Sequence, residues 1–322
     1  MAESVRWGVL SAAKIAREWV CPAIHNSTCG HIAAIASRTR GKAADLAKPY
    51  RDVQLFDDYD AFLASPDIDA VYIPLPNGAH VEWTKRALAA GKHVLCEKPI
   101  ALKAEEIDGL IAARDTSGLL AAEAFMVVHH PQWHRVRQLL AEGAIGELTH
   151  VQGGFSFFND DAANIRNDAA QGGGALRDIG VYPSVTTRFV TGEEPKAARS
   201  QITWERGIDA TARVWAEFPS FGMDFYVSMR MHPYQQMLFH GSKGWIKVMT
   251  PFNAKLYGDD VLEIRDGSGS VRLERFPLVD HYVQQINAFN ESVLNGAAYP
   301  CTLEFSRGNQ RMIDMIYAGA MD

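Results

Sequence analysis

Lys98 occupies a position where a charged side chain could do chemistry. The segment GKHVLCEKPIAL (residues 91–102) predicts a short apolar strand over 93–96, then Glu97-Lys98-Pro99, then a helix. A charge at the end of a buried strand costs desolvation energy unless another group compensates it. Because ligands of open α/β sheets bind at the carboxyl ends of the strands, Lys98 is expected to point at a bound molecule. A solvated lysine in a loop is the alternative interpretation.

A second candidate cluster lies in GGGALRDIGVYP (residues 172–183). Its three glycines allow the backbone to pass close to a ligand or to another element. Asp178 and Tyr182 are four positions apart, so a helix that begins here places both side chains on one face. The alternative is structural, with Asp178 capping a helix and Tyr182 half buried in an interface.

The polar loop before these glycines contains Asn159, Arg166 and Asn167. Side chains that offer both donors and acceptors suit a polyhydroxylated substrate, so Asn159 and Arg166 are candidate substrate contacts. A solvated loop is the competing interpretation for each of them.

The turn after the first predicted strand has the position and length of a dinucleotide-binding fingerprint, although it is not a GxGxxG. Small side chains stand where glycines are expected, and they still permit backbone N–H groups to approach a pyrophosphate. An ordinary strand-to-helix turn is the alternative. The candidate cofactor contacts in this segment are Gly8, Ser11, Ala12, Ala13, Lys14 and Ile15.

The end of the second predicted strand indicates which dinucleotide is preferred. NAD-specific sites commonly place a carboxylate there for the ribose 2′-hydroxyl, whereas this chain has Ser37 and Arg38. A hydroxyl and a guanidinium can bind a 2′-phosphate, which favours NADP, with NAD still possible. An exposed arginine in a loop is the alternative.

Further cofactor contacts are expected at the ends of the fourth and fifth strands. In PLPNGAH (74–80) two prolines shape a turn, Asn77 can cap the following helix, and His80 falls in its first turn, facing the cofactor. The candidates here are Leu75, Pro76, Asn77, His80, Glu97 and Lys98.

The histidines near residue 130 raise the question of a metal site. His130 and His134 have the i, i+4 spacing that can bind zinc with a third ligand. There is no HExxH motif, and His130-Pro131 begins a helix. We therefore predict a structural role and no metal.

The element pattern divides the chain near residue 125. Strands predicted over 5–10, 31–37, 53–56, 69–75, 93–96 and 119–125 alternate with helices, which is typical of a parallel sheet covered on both faces. From about 195 to 276, period-2 strands and turns predict a largely antiparallel sheet. The predicted domains are residues 1–124, binding the dinucleotide, and 125–322, binding substrate and mediating dimerisation. The last helix, about 302–318, is expected to pack back on the first domain.

The composition of the chain argues against some classes of binding partner. The formal net charge of −6, without a Lys/Arg-rich run, argues against nucleic acid and anionic membranes. No segment has the apolar length of a membrane span. The first residues lead almost directly into a strand, and the four cysteines are scattered without a CxxC. We expect a cytoplasmic protein with reduced thiols.

Taken together, these motifs resemble the Gfo/Idh/MocA family of nicotinamide-dependent oxidoreductases, most closely its dimeric dihydrodiol dehydrogenase and sugar dehydrogenase branch. The resemblance covers nearly the whole chain. It rests on GVLSAAKIA (8–16), PLPNGAH (74–80), AGKHVLCEKPIAL (90–102), HPQWHRVRQLLAEGAIGELTHV (130–151) and GGGALRDIGVYP (172–183). Two departures are the replaced fingerprint glycines and Val127-Val128, where other members carry Tyr and Arg.

The resemblance implies the fold class: α/β, with an N-terminal Rossmann doubly wound parallel sheet and a C-terminal α+β domain containing a large, mostly antiparallel sheet. It also implies that Lys98 and Tyr182 are catalytic and that Asp178 binds substrate hydroxyls. The pair makes chemical sense, because a tyrosine of ordinary pKa ~10 becomes a better base beside an ammonium. A homodimer or homotetramer formed through the C-terminal sheet is a further expectation from the family.

The resulting hypothesis is hydride transfer between NADP(H) and a CH–OH group of a sugar, with oxidation of an aldose to a lactone as first choice. A trans-dihydrodiol substrate is the close alternative. From another class, a catalytically silent NAD(P)-sensing regulator could share the fold, but such a sensor has no need for the proton-transfer pair Lys98 and Tyr182.

Overall fold

The computed structural model describes residues 4–254 and 260–321, and the chain divides into two compact units. The first unit comprises Met1–Met126 and Tyr282–Arg307, and the second comprises Val127–His281 and Gly308–Asp322. Within the described ranges, no helix is long and apolar enough to cross a membrane.

The first unit is built on a six-stranded sheet whose strand pairs are all parallel. The strand order is β3-β2-β1-β4-β5-β6, which is the order of a Rossmann fold and confirms the predicted doubly wound sheet. The order reverses between β1 and β4, so ligands are expected beyond the carboxyl ends of these strands. The strands are β1 (Val5–Leu10), β2 (Gly30–Ala36), β3 (Gln54–Phe56), β4 (Ala70–Ile73), β5 (His93–Cys96) and β6 (Ala121–Glu123).

Helices connect these strands. The one after β1 begins as a π-helical turn, Ala16–Val20, before it continues as α1, and a 3₁₀ turn, Asn77–Ala79, precedes α4. Asn77 is therefore the first residue of the 3₁₀ turn, and α4 begins at His80. The helices are α1 (Cys21–Asn26), α2 (Arg40–Ala47), α3 (Tyr59–Ala64), α4 (His80–Ala89) and α5 (Ala104–Ser117).

Two polar side chains in the core of the first unit are held by hydrogen bonds to distant parts of the chain. Trp7 in β1 is fully buried, and its Nε1 donates to Oδ1 of Asn290 at 2.9 Å. Lys92, just before β5, is buried, and its Nζ donates to the carbonyls of Ser65 and Ile68 at 2.7 and 2.8 Å. These hydrogen bonds fix β1 and the start of β5. The candidate site lies at the opposite, carboxyl edge of the sheet.

The second unit contains a nine-stranded sheet in the order β14-β13-β12-β11-β7-β10-β9-β8-β15. The prediction of a mostly antiparallel sheet is confirmed, although β7 pairs with β10 and β8 with β15 in parallel. Residues 255–259 of the predicted strand region lie outside the described residues. The strands are β7 (Leu148–Phe158), β8 (Ala197–Glu205), β9 (Ile208–Glu217), β10 (Gly222–Ser228), β11 (Arg230–Gly241), β12 (Trp245–Val248), β13 (Val261–Arg265), β14 (Val271–Arg275) and β15 (Ala320–Met321).

The remaining helices are α6 (Pro131–Ala141), α7 (Val181–Thr191), α8 (His281–Asn295) and α9 (Leu303–Ala318). A π-helical turn, Leu176–Gly180, precedes α7 and contains Asp178. π-Helical turns are rare overall but are often found at functional sites. Among the residues that the structure describes, each unit contains one.

Gly8 is required by packing inside β1. A Cβ at this position would lie 2.5 Å from Cζ of Phe62 and 3.0 Å from Cγ2 of Ile68, both in the core. We expect Gly8→Ala to lower the free energy of unfolding by about 1–3 kcal/mol, as overpacked cores do. Thermal denaturation measures this. The matched control is Gly41→Ala in α2, where a Cβ meets nothing within 4 Å and alanine favours the helix. Equal melting temperatures for wild type and Gly8→Ala would contradict the expectation.

Candidate functional site

The segment from Glu97 to Ile100 follows β5 at the carboxyl edge of the parallel sheet and is fixed at three points. Oε1 of Glu97 accepts a hydrogen bond from the Tyr72 hydroxyl of β4 at 2.6 Å. Nδ1 of His80 lies 2.7 Å from the carbonyl oxygen of Pro99. The backbone N–H of Ile100 donates to Oε1 of Glu123 at 2.9 Å. Neighbouring elements on both sides of β5 therefore determine the backbone that carries Lys98.

His80 is fully buried, and its ring lies between two backbone carbonyls. Nε2 lies 2.7 Å from the carbonyl oxygen of Leu75, and Nδ1 contacts Pro99 at the same distance. Burial lowers the pKa of His80, and a neutral ring donates to only one carbonyl at a time. His80 thus joins the turn after β4 to the Lys98 segment, and both of its ring nitrogens are directed at protein backbone.

In the turn after β1, a residue other than glycine adopts a backbone conformation that glycine usually occupies. Ser11 has a φ of +126°, in the region that favours glycine. The side chains of Ala12 and Ala13 are partly exposed, and that of Lys14 is exposed. Ile15 immediately precedes the π-helical turn. Small side chains, a glycine-like turn and a helix start at the carboxyl edge of the sheet fit a bound dinucleotide.

The end of β2 has the two features expected of a 2′-phosphate site, but in different environments. Ser37 is buried, and its Oγ accepts a hydrogen bond from the backbone N–H of Thr39 at 3.2 Å. Arg38 is exposed. The guanidinium is thus at the surface, whereas the Ser37 hydroxyl is part of the loop that presents it.

In the second unit, the structure brings Arg166 and Asp178 together. Nε of Arg166 donates to Oδ2 of Asp178 at 2.6 Å, which ties the polar loop to the π-helical turn. Tyr182, in the first turn of α7, is 6% exposed and packs against Phe155 and Phe252, with ring centroids 5.7 and 5.6 Å away. Its ring position is therefore fixed by aromatic packing.

Asn159 has a structural role within the same loop. Its Oδ1 accepts from Nδ2 of Asn167 at 3.0 Å, and its carbonyl accepts from the Arg230 guanidinium. Arg230 also donates to Oδ1 of Asn167 at 3.1 Å and to Glu205 at 2.8 Å. Arg230 was not identified from the sequence, yet it connects β11 to the loop that carries Arg166.

Asp209, in β9, was also missed. It is buried, and its carboxylate accepts from the backbone N–H of Leu176 at 2.6 Å and from the Tyr317 hydroxyl at 2.7 Å. Burial raises the pKa of Asp209 to about 6. Gly174, with a φ of +127°, passes so close that a Cβ there would overlap this carboxylate. Asp209 therefore fixes the start of the helical segment that carries Asp178 and Tyr182.

The predicted histidine cluster has structural contacts. His130 caps α6, with Nδ1 accepting from the N–H of Gln132 at 3.2 Å, and its Nε2 lies 3.4 Å from Asp260. The ring of His134 packs edge-on against Phe189. Within the described part of the chain, no group of three or more His, Cys, Asp or Glu side chains could hold a metal ion. Val127 and Val128 are both fully buried.

Comparisons with known proteins agree with this architecture. Residues 5–125 match the oxidoreductase family with an NAD-binding Rossmann fold, GFO_IDH_MocA, and residues 133–247 match the GFO/IDH/MocA C-terminal domain. A dTDP-3,4-didehydro-2,6-dideoxy-alpha-D-glucose 3-reductase from Actinomadura kijaniata is 33% identical over 100% of this chain and 97% of its own length. A D-xylose 1-dehydrogenase (NADP(+)) from Haloferax volcanii is 31% identical over 98% of this chain and 97% of its own.

A crystal structure of a 3-ketoreductase from Actinomadura kijaniata in complex with NADP and TDP-benzene has a TM-score of 0.91 to this chain, with 31% identity and 99% coverage of both. Other crystal structures of that protein carry substitutions of one lysine or one tyrosine. These two residues are separated by the same number of positions as Lys98 and Tyr182 here.

The chain therefore belongs to the Gfo/Idh/MocA family of oxidoreductases, and its first unit is that family's NAD-binding Rossmann fold. The resemblance inferred from the motifs is confirmed. Lys98, Asp178 and Tyr182 are the residues that the motifs assign to chemistry, and their roles are taken up below as a proposal.

The glycine-like backbone of Ser11 generates a stability prediction. A non-glycine residue at positive φ stores strain of about 1–3 kcal/mol, and glycine removes it while adding some flexibility to the unfolded chain. We expect Ser11→Gly to raise the free energy of unfolding by roughly 1 kcal/mol. Ser11→Ala is the control, because it keeps the strained backbone. Chemical denaturation distinguishes them, and a destabilised Ser11→Gly would show that the hydroxyl outweighs the strain.

Proposed function

We propose that this protein transfers a hydride between NADP(H) and a CH–OH carbon of a sugar, with oxidation of an aldose to a lactone as the preferred reaction. The observation that carries the proposal is the three-point fixing of the segment that bears Lys98, at the carboxyl edge of a Rossmann sheet. A lysine held there by its neighbours on both sides is suited to orient a substrate oxygen beside a nicotinamide.

The proton chemistry is assigned to Tyr182. In the oxidation direction, its Oη takes the hydroxyl proton of the substrate as the C–O bond becomes a carbonyl. The Nζ of Lys98 is assigned a hydrogen bond to the same substrate oxygen, and an ammonium placed beside a tyrosine favours its phenolate form. The bound nicotinamide supplies the hydride acceptor. In the reduction direction, Tyr182 returns the proton to the carbonyl oxygen.

Asp178 and Arg166 are assigned to substrate positioning. The carboxylate of Asp178 accepts from Arg166. A carboxylate is an acceptor and a guanidinium is a donor, so each is chemically suited to a sugar hydroxyl. Such a pair binds vicinal hydroxyls from both sides. We assign Asn159 only an indirect role, because the structure uses its amide and carbonyl within the loop.

The dinucleotide contacts follow from the carboxyl edge of the sheet. The turn of Ser11 to Ile15 and the segment of Leu75 to Asn77 are proposed to hold the pyrophosphate and the nicotinamide ribose. The exposed guanidinium of Arg38 is proposed to bind the 2′-phosphate. The cytoplasmic location and the homodimer or homotetramer expected from the family remain part of this proposal.

Reduction of a 3-keto nucleotide sugar is the second candidate reaction. It is favoured by the full-length relative from Actinomadura kijaniata, at 33% identity. Both candidates are assigned the same proton-transfer pair, but they run in opposite directions: the aldose gives its hydride to NADP, whereas the keto sugar takes a hydride from NADPH.

The first test is a substrate panel with NADP or NADPH, followed through the near-ultraviolet absorbance of NADPH. The panel contains aldoses, a trans-dihydrodiol and a keto sugar nucleotide. We expect turnover with a carbohydrate, and a fall in kcat of roughly 10²–10⁴-fold in Tyr182→Phe and Lys98→Ala, because each removes part of the proton transfer. Lys48→Ala, an exposed lysine that bonds Asp45, is the control. Tight NADPH binding without turnover on any substrate would indicate the silent sensor instead.

A separate test addresses cofactor choice. We expect Arg38→Ala to weaken NADP binding roughly tenfold to a hundredfold, because a charge-assisted hydrogen bond to the 2′-phosphate is lost. NAD, which lacks that phosphate, should bind with nearly unchanged affinity. Fluorescence titration of both reduced cofactors measures this, with Arg51→Ala as the matched control for an exposed arginine. Equal losses for the two cofactors would contradict the assignment of Arg38.

A further inference from the structure

We propose that Glu123 is a positioning residue for Lys98: it holds the backbone beyond Lys98 in place and supplies the negative charge behind it. The inference rests on the proposed function, since Lys98 is the group that it serves. Glu123 ends β6, the strand beside β5, and pairs in register with Cys96. It is 3% exposed, and a carboxylate in such a place needs a structural or functional reason.

The contacts of Glu123 show what it does to the segment. Its Oε1 accepts the N–H of Ile100 at 2.9 Å, two positions after Lys98. On the other side, the N–H of Ala124 donates to the carbonyl of Cys96 at 2.8 Å, two positions before Lys98. The end of β6 thus bonds the chain on both sides of Lys98.

The charges around Glu123 make its ionisation matter to Lys98. Burial raises the pKa of Glu123 to about 7. Hydrogen bonds from the Ile100 N–H and the Ser306 side chain lower this pKa, the Glu97 charge raises it further, and the Lys98 charge lowers it. The buried thiol of Cys96, in β5, faces it as well. Between α5 and α9, Arg114 pairs with Glu304 and Asp108 pairs with Arg307. Glu97 and Lys98 are therefore the charges to which Glu123 is coupled.

The ionised form of Glu123 is the one suited to this role. A carboxylate accepts the Ile100 N–H more strongly than a carboxylic acid does, and it stabilises the nearby ammonium. Catalysis that depends on Lys98 should then rise as the pH increases through about 7. Protonation of Glu123 on the acid side removes the charge while leaving the side chain in place.

The kinetic test compares wild type with Glu123→Gln, which keeps the shape and one acceptor oxygen but has no charge. We expect kcat of Glu123→Gln to be roughly tenfold lower than that of wild type at pH 8 and similar at pH 5.5, with the step near neutrality absent. KM for NADP should change little. Glu123→Asp restores the charge and should restore the step, with a lower plateau because its shorter side chain reaches Ile100 less well.

Asp69→Asn is the matched control, because Asp69 lies at the amino edge of the same sheet and bonds Arg6. It should change stability and leave the pH profile unaltered. Persistence of the wild-type step in Glu123→Gln would overturn the proposal. Loss of the step in Asp69→Asn as well would show a general effect of destabilisation and would also overturn it.

A second readout does not depend on turnover. Competitive acetylation at pH 8, with mass spectrometry of the Lys98 peptide, measures how readily that amine loses its proton. We expect Lys98 in Glu123→Gln to be labelled roughly threefold faster than in wild type, because the stabilising charge is gone. Lys48 serves as the internal control. If Lys98 is acetylated at the same rate in Glu123→Gln as in wild type, the coupling between Glu123 and Lys98 is refuted. If the substrate panel shows no turnover but the acetylation rate changes, only the proposed function is refuted.

Discussion

A buried polar group without a hydrogen-bond partner costs free energy. This cost determines how the carboxyl edge of the parallel sheet in the first unit is organised. Beyond β5 the chain leaves the hydrogen-bonding ladder, so its polar groups must find other partners. The N–H of Ile100 donates to Glu123, the Tyr72 hydroxyl donates to the carboxylate of Glu97, and the carbonyl of Pro99 shares the His80 ring with that of Leu75. Lys98 lies in the middle of these contacts. The position of its backbone is a consequence of how these neighbouring polar groups are hydrogen-bonded.

In the second unit, the carboxylate of Asp209 accepts a backbone N–H that would otherwise have no partner. The first backbone N–H groups of a helix have no partner within the helix. At the π-helical turn before α7, the N–H of Leu176 is satisfied by Asp209, which Tyr317 holds from the other side. The close passage of Gly174 over Asp209 requires a residue without a side chain, which accounts for one glycine of the triplet. Asp178 and Tyr182 are then presented by a segment whose start is fixed from the sheet.

The sequence was sufficient for the parallel sheet, the mostly antiparallel sheet and the family, because period, alternation and motif spacing are local properties. It was not sufficient for Glu123, Asp209 and Arg230. Each is a polar residue inside a strand whose partners lie far along the chain or on another element, and a one-dimensional pattern does not contain that pairing. A signal existed: Glu123 is the sole charge in the apolar run LLAAEAF. From the sequence alone, Glu123 is an ordinary strand residue that could face solvent. Only its burial in the structure shows that it needs a partner.

The two carboxylates also set a common relation between pH and stability. Burial raises the pKa of Glu123 to about 7 and of Asp209 to about 6, above ordinary values of 4.5 and 3.8. At a pH between the ordinary and the raised pKa of each group, the folded chain holds a proton that the unfolded chain has released. The free energy of unfolding therefore falls as the pH rises through this range. Above both pKa values, keeping each of these carboxylates ionised in the folded chain costs roughly 3 kcal/mol. Each carboxylate accepts a backbone N–H in a segment that matters to the site, that of Ile100 beyond Lys98 and that of Leu176 before Tyr182, and the ionised form accepts such a bond more strongly.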